Sequence, residues 1–220
     1  MKSIYIMAGG PVEQIPELTQ FETPAMWIGV DKGISTLLSV GITPHVVFGD
    51  FDSIQPEDLE CINQSDTMLF QYPAEKDDTD LVLAFRWALE QQPDCICIFG
   101  STGGRMDHTI GSVRLLVTEE ALHTSTHITI IDRWNTIYAV PPGVHEIQIQ
   151  DKYRYVSFFS MTPTITGLTL KGFRYPLKNE TIALGSSLCV SNELISERGH
   201  FSFLSGILLV VRSNDNCVHK

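Results

Sequence analysis

The chain has 220 residues, 43% hydrophobic and 19% charged, with 15 Lys and Arg against 26 Asp and Glu, for a net charge of −11. That much apolar material can fill the core of one large domain or two small ones. The negative charge, with no Lys/Arg-rich stretch to offset it, excludes nucleic-acid backbone and anionic lipid as partners, because both would be repelled at long range.

The opening MKSIYIMAGG carries one lysine and a short apolar run ending at Gly9-Gly10, too short for a secretory signal. No stretch approaches the roughly 20 apolar residues of a membrane span, so the expected location is the cytoplasm. Apolar runs at residues 3–10, 25–31, 45–53 and 95–101 are predicted as buried strands, each ending at Gly, Asp or Ser. Between them, residues 33–41 and 80–92 carry apolar side chains at helical spacing, the second as Leu81, Val82, Ala84, Phe85, Ala88 and Leu89. A helical stretch is also predicted over 108–122. Strand, turn and helix in repetition predict an α/β domain over 1–133 with a mostly parallel, Rossmann-like sheet. Ligands then sit beyond the carboxyl ends of its strands.

The rhythm changes near DRWN (132–135). Runs such as NTIYAV, VHEIQIQ, YRYVSFFS, ITGLTL, SLCVS, HFSFL and ILLVV follow at short spacing, rich in β-branched and aromatic residues. They predict an antiparallel β-sandwich domain over 134–220. The five cysteines form no CxxC pair and are odd in number, which speaks against disulfides or a zinc knuckle. Cys95 and Cys97 are expected on one face of a buried strand.

The charge is concentrated. Residues 50–80 hold ten carboxylates against one cation, Lys76. In GDFDS, Asp50 and Asp52 stand at a strand end, where two hard oxygen ligands can converge on Mg²⁺. In EKDDTD, Asp77 and Asp80 are three apart and are expected on one side of a helix's first turn, with Thr79 or Asp78 as its cap and Lys76 at the edge of the cluster. In GSTGGRMDH, Ser101, Thr102, Gly103 and Gly104 offer backbone N–H groups ahead of a helix, suited to phosphate. Arg105 offers a planar fork for phosphate oxygens, and Asp107 either orients it or reaches a ligand hydroxyl. His108 is either a general base or a hydrogen-bonded structural group. MAGGP, with Gly10, and GVDKG, with Asp31, put Gly and Asp at two further strand ends. Walker A and GxGxxG patterns are absent. Together these segments predict a Mg²⁺-dependent site for a nucleotide or other polyphosphate.

AGGP, VDKG, GDFDS, EKDDTD, GSTGGRMDH and IIDRWN, followed by TGLTLKGFRYPL, LGSSLCVSNE and SFLSGILLVV, run in this order along nearly the whole chain. In that order they resemble the thiamine pyrophosphokinase family, with one departure, Lys32, where the family usually has a second glycine. The resemblance implies transfer of the diphosphoryl group of ATP to the hydroxyl of thiamine, giving thiamine diphosphate and AMP, with Mg²⁺. It implies Asp50, Asp52 and Asp77 as metal ligands, with Asp80 as a further ligand or a supporting group, and Lys76 and Arg105 as cationic phosphate contacts. Gly10, Asp31, Ser53, Ser101, Thr102, Gly103, Asp107 and His108 would line the nucleotide site. Either Asp77 or Asp52 would deprotonate the thiamine hydroxyl. Ser191 and Asn192 would hydrogen-bond the aminopyrimidine, and Tyr175 would lie against a ring. The resemblance further implies a homodimer with thiamine between the catalytic domain of one subunit and the β domain of the other. A DxD phosphohydrolase with Asp50 as nucleophile, acting on a small phosphorylated metabolite, and a non-catalytic nucleotide sensor are the competing readings.

Overall fold

The computed structural model describes residues 2–21, 25–52, 54–72 and 77–215. The chain divides into two compact units, Met1–Arg133 and Trp134–Lys220. Among the described residues no helix is long and apolar enough to cross a membrane.

In the first unit the strands are β1 (Ser3–Met7), β2 (Ala25–Val30), β3 (Val46–Gly49), β4 (Met68–Gln71), β5 (Cys95–Phe99) and β6 (His127–Ile131). Every pairing in the order β6-β5-β1-β2-β3-β4 is parallel, so the unit has the α/β architecture read from the sequence. The helices are α1 (Gly33–Ser39), α2 (Pro56–Asn63), α3 (Asp80–Glu90), α4 (Met106–Leu115) and α5 (Glu119–Leu122). Alternation along β1 sorts its side chains: Tyr5 and Met7 join Trp27 of β2, Phe99 of β5 and Leu37 of α1 in one cluster, with Phe21 packed against it. Ile4 and Ile6 point to the opposite face and are fully buried. Edge-to-face contacts of Tyr5 with Phe21, Trp27 and Phe99, at centroid distances of 5.0 to 6.0 Å, lock the three central strands together. Cys95 and Cys97 share one half-buried face of β5, while Ile96 and Ile98 are buried on the other.

Several local expectations need correction, and β6 (His127–Ile131) was not among the strands read from the sequence. Residues 108–122 do not form one helix: Thr118 caps α5 by accepting from Ala121 N at 3.3 Å, which restarts the helix after a turn. α2 and β4 were not expected from the sequence. α2 buries only Ile62, and β4 is an edge strand with Met68 and Leu69 exposed, so neither carries a clear apolar period.

The second unit contains two antiparallel sheets. One joins β7 (Asn135–Val140), β14 (Leu208–Ser213), β9 (Tyr155–Ser160) and β12 (Asn192–Glu193) in that order; the other joins β8 (Gly143–Gln148), β13 (Arg198–Phe203), β10 (Thr164–Lys171) and β11 (Leu177–Ala183). Val156, Phe158, Leu208 and Val210 of the first sheet meet Ile147, Ile165, Leu168, Leu170, Phe201 and Phe203 of the second in a single core, as in a sandwich. The run SLCVS does not form the expected strand. It makes local turns instead, Leu188 N donating to Oγ of the preceding Ser186 and Val190 N to the Ser187 carbonyl, and only Cys189 of the run is buried.

Candidate active site

Because the six strands of the first unit are parallel, their carboxyl ends share one edge. β1 runs into Ala8–Gly10, β2 into Asp31, β3 into Asp50, β5 into Gly100–Thr102 and β6 into Asp132. Chain order reverses on either side of β1, so β1 and β5 flank the switch point where such sheets open a crevice. There the backbones of two loops touch: Gly10 N donates to Gly100 O at 2.7 Å, and a β-carbon at Gly10 would lie 2.4 Å from that same oxygen. Gly100 itself has φ +63°, and a β-carbon there would meet Ala8 O at 2.4 Å. Only glycine fits either position.

Beside this point the two acid-bearing turns adjoin. Asp31 adopts φ +50° and donates its backbone N–H to Phe48 O at 3.1 Å. A β-carbon at Gly49 would lie 2.7 Å from Asp31 Oδ1, so the missing side chain makes room for the carboxylate. In GDFDS, the half-buried Asp50 accepts from Asp52 N at 3.0 Å through Oδ1, closing an Asx turn, and Phe51 is held at φ +64°. A bulky residue in left-handed backbone is the kind of local strain that gathers at functional sites. Asp52 is exposed.

The EKDDTD segment departs from expectation. Thr79 is the cap of α3, accepting from Val82 N at 3.4 Å, so Asp80 opens the helix and Asp77 precedes it by two residues beyond the cap. Asp77 and Asp80 therefore do not share the first turn. Asp78 pairs with Arg86 on the next turns of the same helix. Lys76 and Ser53 lie outside the described residues. Asp50, Asp52, Asp77 and Asp80 offer carboxylate oxygen alone, a donor set suited to a hard divalent cation. Among the described residues no three acid, His or Cys side chains stand close enough together to hold one unaided.

After β5 the turn narrows into α4. Thr102 Oγ1 donates to Asp132 Oδ2 at 2.7 Å, with both residues buried. Gly103 has φ +81° and packs on Gln14, where a β-carbon would lie 2.4 Å from the Gln14 side chain. Ser101 Oγ is buried and without a partner. The Arg105 fork grips Asp107 in two bonds, Nε to Oδ1 at 3.1 Å and Nη2 to Oδ2 at 2.6 Å, and Asp107 Oδ1 also accepts from His108 N at 3.0 Å. Hydrogen bonding from Arg105 first, then the His108 amide and the guanidinium charge, lower the Asp107 carboxyl to about 2. Both Asp107 oxygens are engaged by Arg105, the contact that an orienting role calls for. Arg105 keeps three further N–H donors, and both it and His108 are exposed.

In the second unit, Tyr175 is 57% exposed while Asn192 is 2% exposed. Asn192 clasps the Tyr175 backbone, accepting from its N–H at 3.0 Å and donating to its carbonyl at 2.8 Å, and Oδ1 also accepts from Glu193 N. Arg174 lies over the Tyr175 ring and pairs with Glu193 at 3.0 Å. Ser191, exposed at φ +57°, is anchored by its N–H to Ser157 Oγ at 2.9 Å.

Two family models match the chain: "Thiamin pyrophosphokinase, catalytic domain" over residues 19–130 and "Thiamin pyrophosphokinase, vitamin B1 binding domain" over residues 144–208. The chain is 51% identical to a thiamine pyrophosphokinase of Bacillus subtilis over 216 residues, covering 98% of this chain and 100% of that one. The chain belongs to the thiamine pyrophosphokinase family. It is thereby a diphosphotransferase enzyme of a family that uses ATP and, typically, a divalent metal. The solved structure of the thiamine pyrophosphokinase from Bacillus subtilis superposes with a TM-score of 0.91 at 50% identity, over 97% of this chain and 100% of that chain. That from Geobacillus thermodenitrificans gives 0.87 at 44% identity, over 98% and 99%.

Within this family member, the catalytic-domain match falls inside the α/β unit and the vitamin B1 binding match inside the β unit. Sequence reasoning missed Asp132, which carries the Thr102 bond, and Gln14, which carries Gly103. The signal for the first was present: like Asp31, Asp132 directly follows an apolar strand, in IIDRWN. No comparable signal marks Gln14.

Proposed function

We propose that the enzyme transfers the diphosphoryl group of ATP to the hydroxyl of thiamine, releasing thiamine diphosphate and AMP. The observation that carries this reading is the single carboxyl edge, where Asp31, Asp50 and the Gly10–Gly100 contact adjoin the Thr102–Arg105 turn. In this reading Gly10, Asp31, Ser53, Ser101, Thr102, Gly103 and His108 surround ATP. Arg105, aimed by Asp107, and Lys76 contact its phosphates. Asp50, Asp52, Asp77 and Asp80 would hold Mg²⁺. When bound, that ion neutralises charge on the phosphates, on which phosphoryl transfer mainly depends.

A carboxylate of Asp52 or Asp77 takes the hydroxyl proton of thiamine. The thiamine oxygen then bonds to the β-phosphorus, the bond from that phosphorus to the α–β bridging oxygen breaks, and AMP leaves with that oxygen. Tyr175 presents an aromatic face to thiamine, with Ser191 at its polar edge. Asn192, engaged by the Tyr175 backbone, serves thiamine by fixing that residue. A homodimer, with thiamine between the α/β unit of one subunit and the β unit of the other, and a cytoplasmic location complete the reading.

Incubation with ATP, Mg²⁺ and thiamine, with all products resolved, tests it. Equimolar AMP and thiamine diphosphate are expected. Phosphate release without acceptor would replace this reading with a hydrolase using Asp50 as nucleophile, and ATP binding without turnover would replace it with a sensor.

A further inference from the structure

We infer that Asp132, at the end of β6, is a positioning residue for the nucleotide: through Thr102 it fixes the turn that holds phosphate. The inference rests on the proposed placement of ATP at that turn. The backbone on either side of Thr102 is permissive, with Gly100 at φ +63° and Gly103 at φ +81°, and glycine adds no side chain to restrain it. Ser101, the remaining candidate tether, has a buried hydroxyl without a partner. Among the described residues the turn is thus tied through the side chain of Thr102, whose hydroxyl donates to Asp132 Oδ2 at 2.7 Å with the two residues 8% and 4% exposed. A hydroxyl-to-carboxylate bond of this kind is stronger than one between neutral groups.

The neighbouring residue works on the opposite loop. Arg133 N donates to Gln14 O at 2.7 Å, and Gln14 is the residue on which Gly103 packs. The end of β6 therefore holds both loops that meet at the switch point, one by a side chain and one by backbone. Displacing the turn would weaken nucleotide binding without touching thiamine or the acidic residues, because misplacement of a binding group is costly even when the reacting groups are intact.

The test is calorimetric titration of ATP with Mg²⁺, without thiamine, into the wild type, Asp132→Ala, Thr102→Val, Thr102→Ser and the Asp132→Ala/Thr102→Val double variant, with thermal melts of each. Each of Asp132→Ala and Thr102→Val is expected to weaken ATP about tenfold. The double variant is expected to weaken it no further than Asp132→Ala alone, since the Thr102–Asp132 bond is removed in all three. Thr102→Ser, which keeps the hydroxyl, is expected to stay within about twofold. In turnover, KM for ATP should rise while KM for thiamine stays at the wild-type value. Unchanged ATP affinity in folded Thr102→Val would overturn the inference. So would multiplying effects in the double variant, or loss of the folded state in both single variants, which would make the bond an element of the fold. A wild type that binds no ATP would instead sink the nucleotide reading itself.

Discussion

Asn192 and Tyr175 are bonded in both directions: the Tyr175 N–H donates to Asn192 Oδ1 at 3.0 Å, and Asn192 Nδ2 donates to the Tyr175 carbonyl at 2.8 Å. A buried amide thereby imposes its orientation on an exposed aromatic residue 17 positions away. Asn192→Ala removes the side-chain partner of three backbone groups, the Tyr175 N–H and carbonyl and the Glu193 N–H, each costing about 1–3 kcal/mol where left buried and unpaired. We expect a fall in unfolding free energy of about 2 kcal/mol in urea and a rise in KM for thiamine of about tenfold, with KM for ATP unchanged. An unchanged KM for thiamine would detach Tyr175 from the substrate.

Gly10→Ala places a β-carbon 2.4 Å from Gly100 O and 2.8 Å from Gly100 C. Both are backbone atoms with no rotamer by which to withdraw. Overpacking of this kind costs about 1–3 kcal/mol, and the two loops must part to relieve it. Thermal melting should show the loss, and ATP affinity should fall with it. Full affinity in Gly10→Ala would mean that the loop contact is irrelevant to the nucleotide.

The Asp107 carboxyl, lowered to about 2, titrates below the ordinary range near 3.8 because Arg105 donates two hydrogen bonds to it. The folded value lies below the unfolded one, so the pair's contribution is complete above pH 3.8 and is lost as pH falls through about 2. Carbon-detected NMR titration should place the Asp107 midpoint near that value. In Arg105→Gln it should return toward the ordinary carboxylate range. Equal midpoints in the two proteins would break the assigned pairing.

Much of the α/β unit was legible because its central strands are continuous apolar runs closed by Gly or Asp. The edges were not: β4 exposes Met68 and Leu69, and β11, LKNETIA, is charged like many edge strands, so neither shows the alternation that marks a strand. At the candidate site, residue types at strand ends pointed to the carboxyl edge of the sheet, where Asp31, Asp50 and Thr102 lie. Spacing alone misplaced Asp77, since any of several adjacent polar residues can cap a helix and Thr79 does. Nor can spacing show that Asn192 is occupied by a backbone 17 residues away, or that Asp132 meets Thr102 across 30 residues.

Cys97, half-buried on β5, has its thiol pushed up to about 12, by burial first and then by neighbouring Cys95, whereas Cys61 on α2 is exposed. Since the thiolate is the reactive form, iodoacetamide at pH 8 should label Cys61 and spare Cys97 in the folded enzyme, as read by peptide mass mapping. Equal labelling would contradict the packing of β5.

Asp77 is exposed and outside α3, and among the described residues its carboxylate makes no hydrogen bond or ion pair that a neutral amide would break. Asp77→Asn should therefore melt at the wild-type temperature or slightly above, as one charge of a repelling cluster is removed, while turnover is abolished. Near-normal turnover would remove Asp77 from the metal site.

The central claim is transfer of an intact diphosphoryl group to thiamine, and ATP radiolabelled at the β-phosphorus tests it most directly. With Mg²⁺ and thiamine, the account expects the label to appear in thiamine diphosphate, in step with unlabelled AMP. Label recovered in ADP or in free phosphate, with thiamine unchanged, would contradict it.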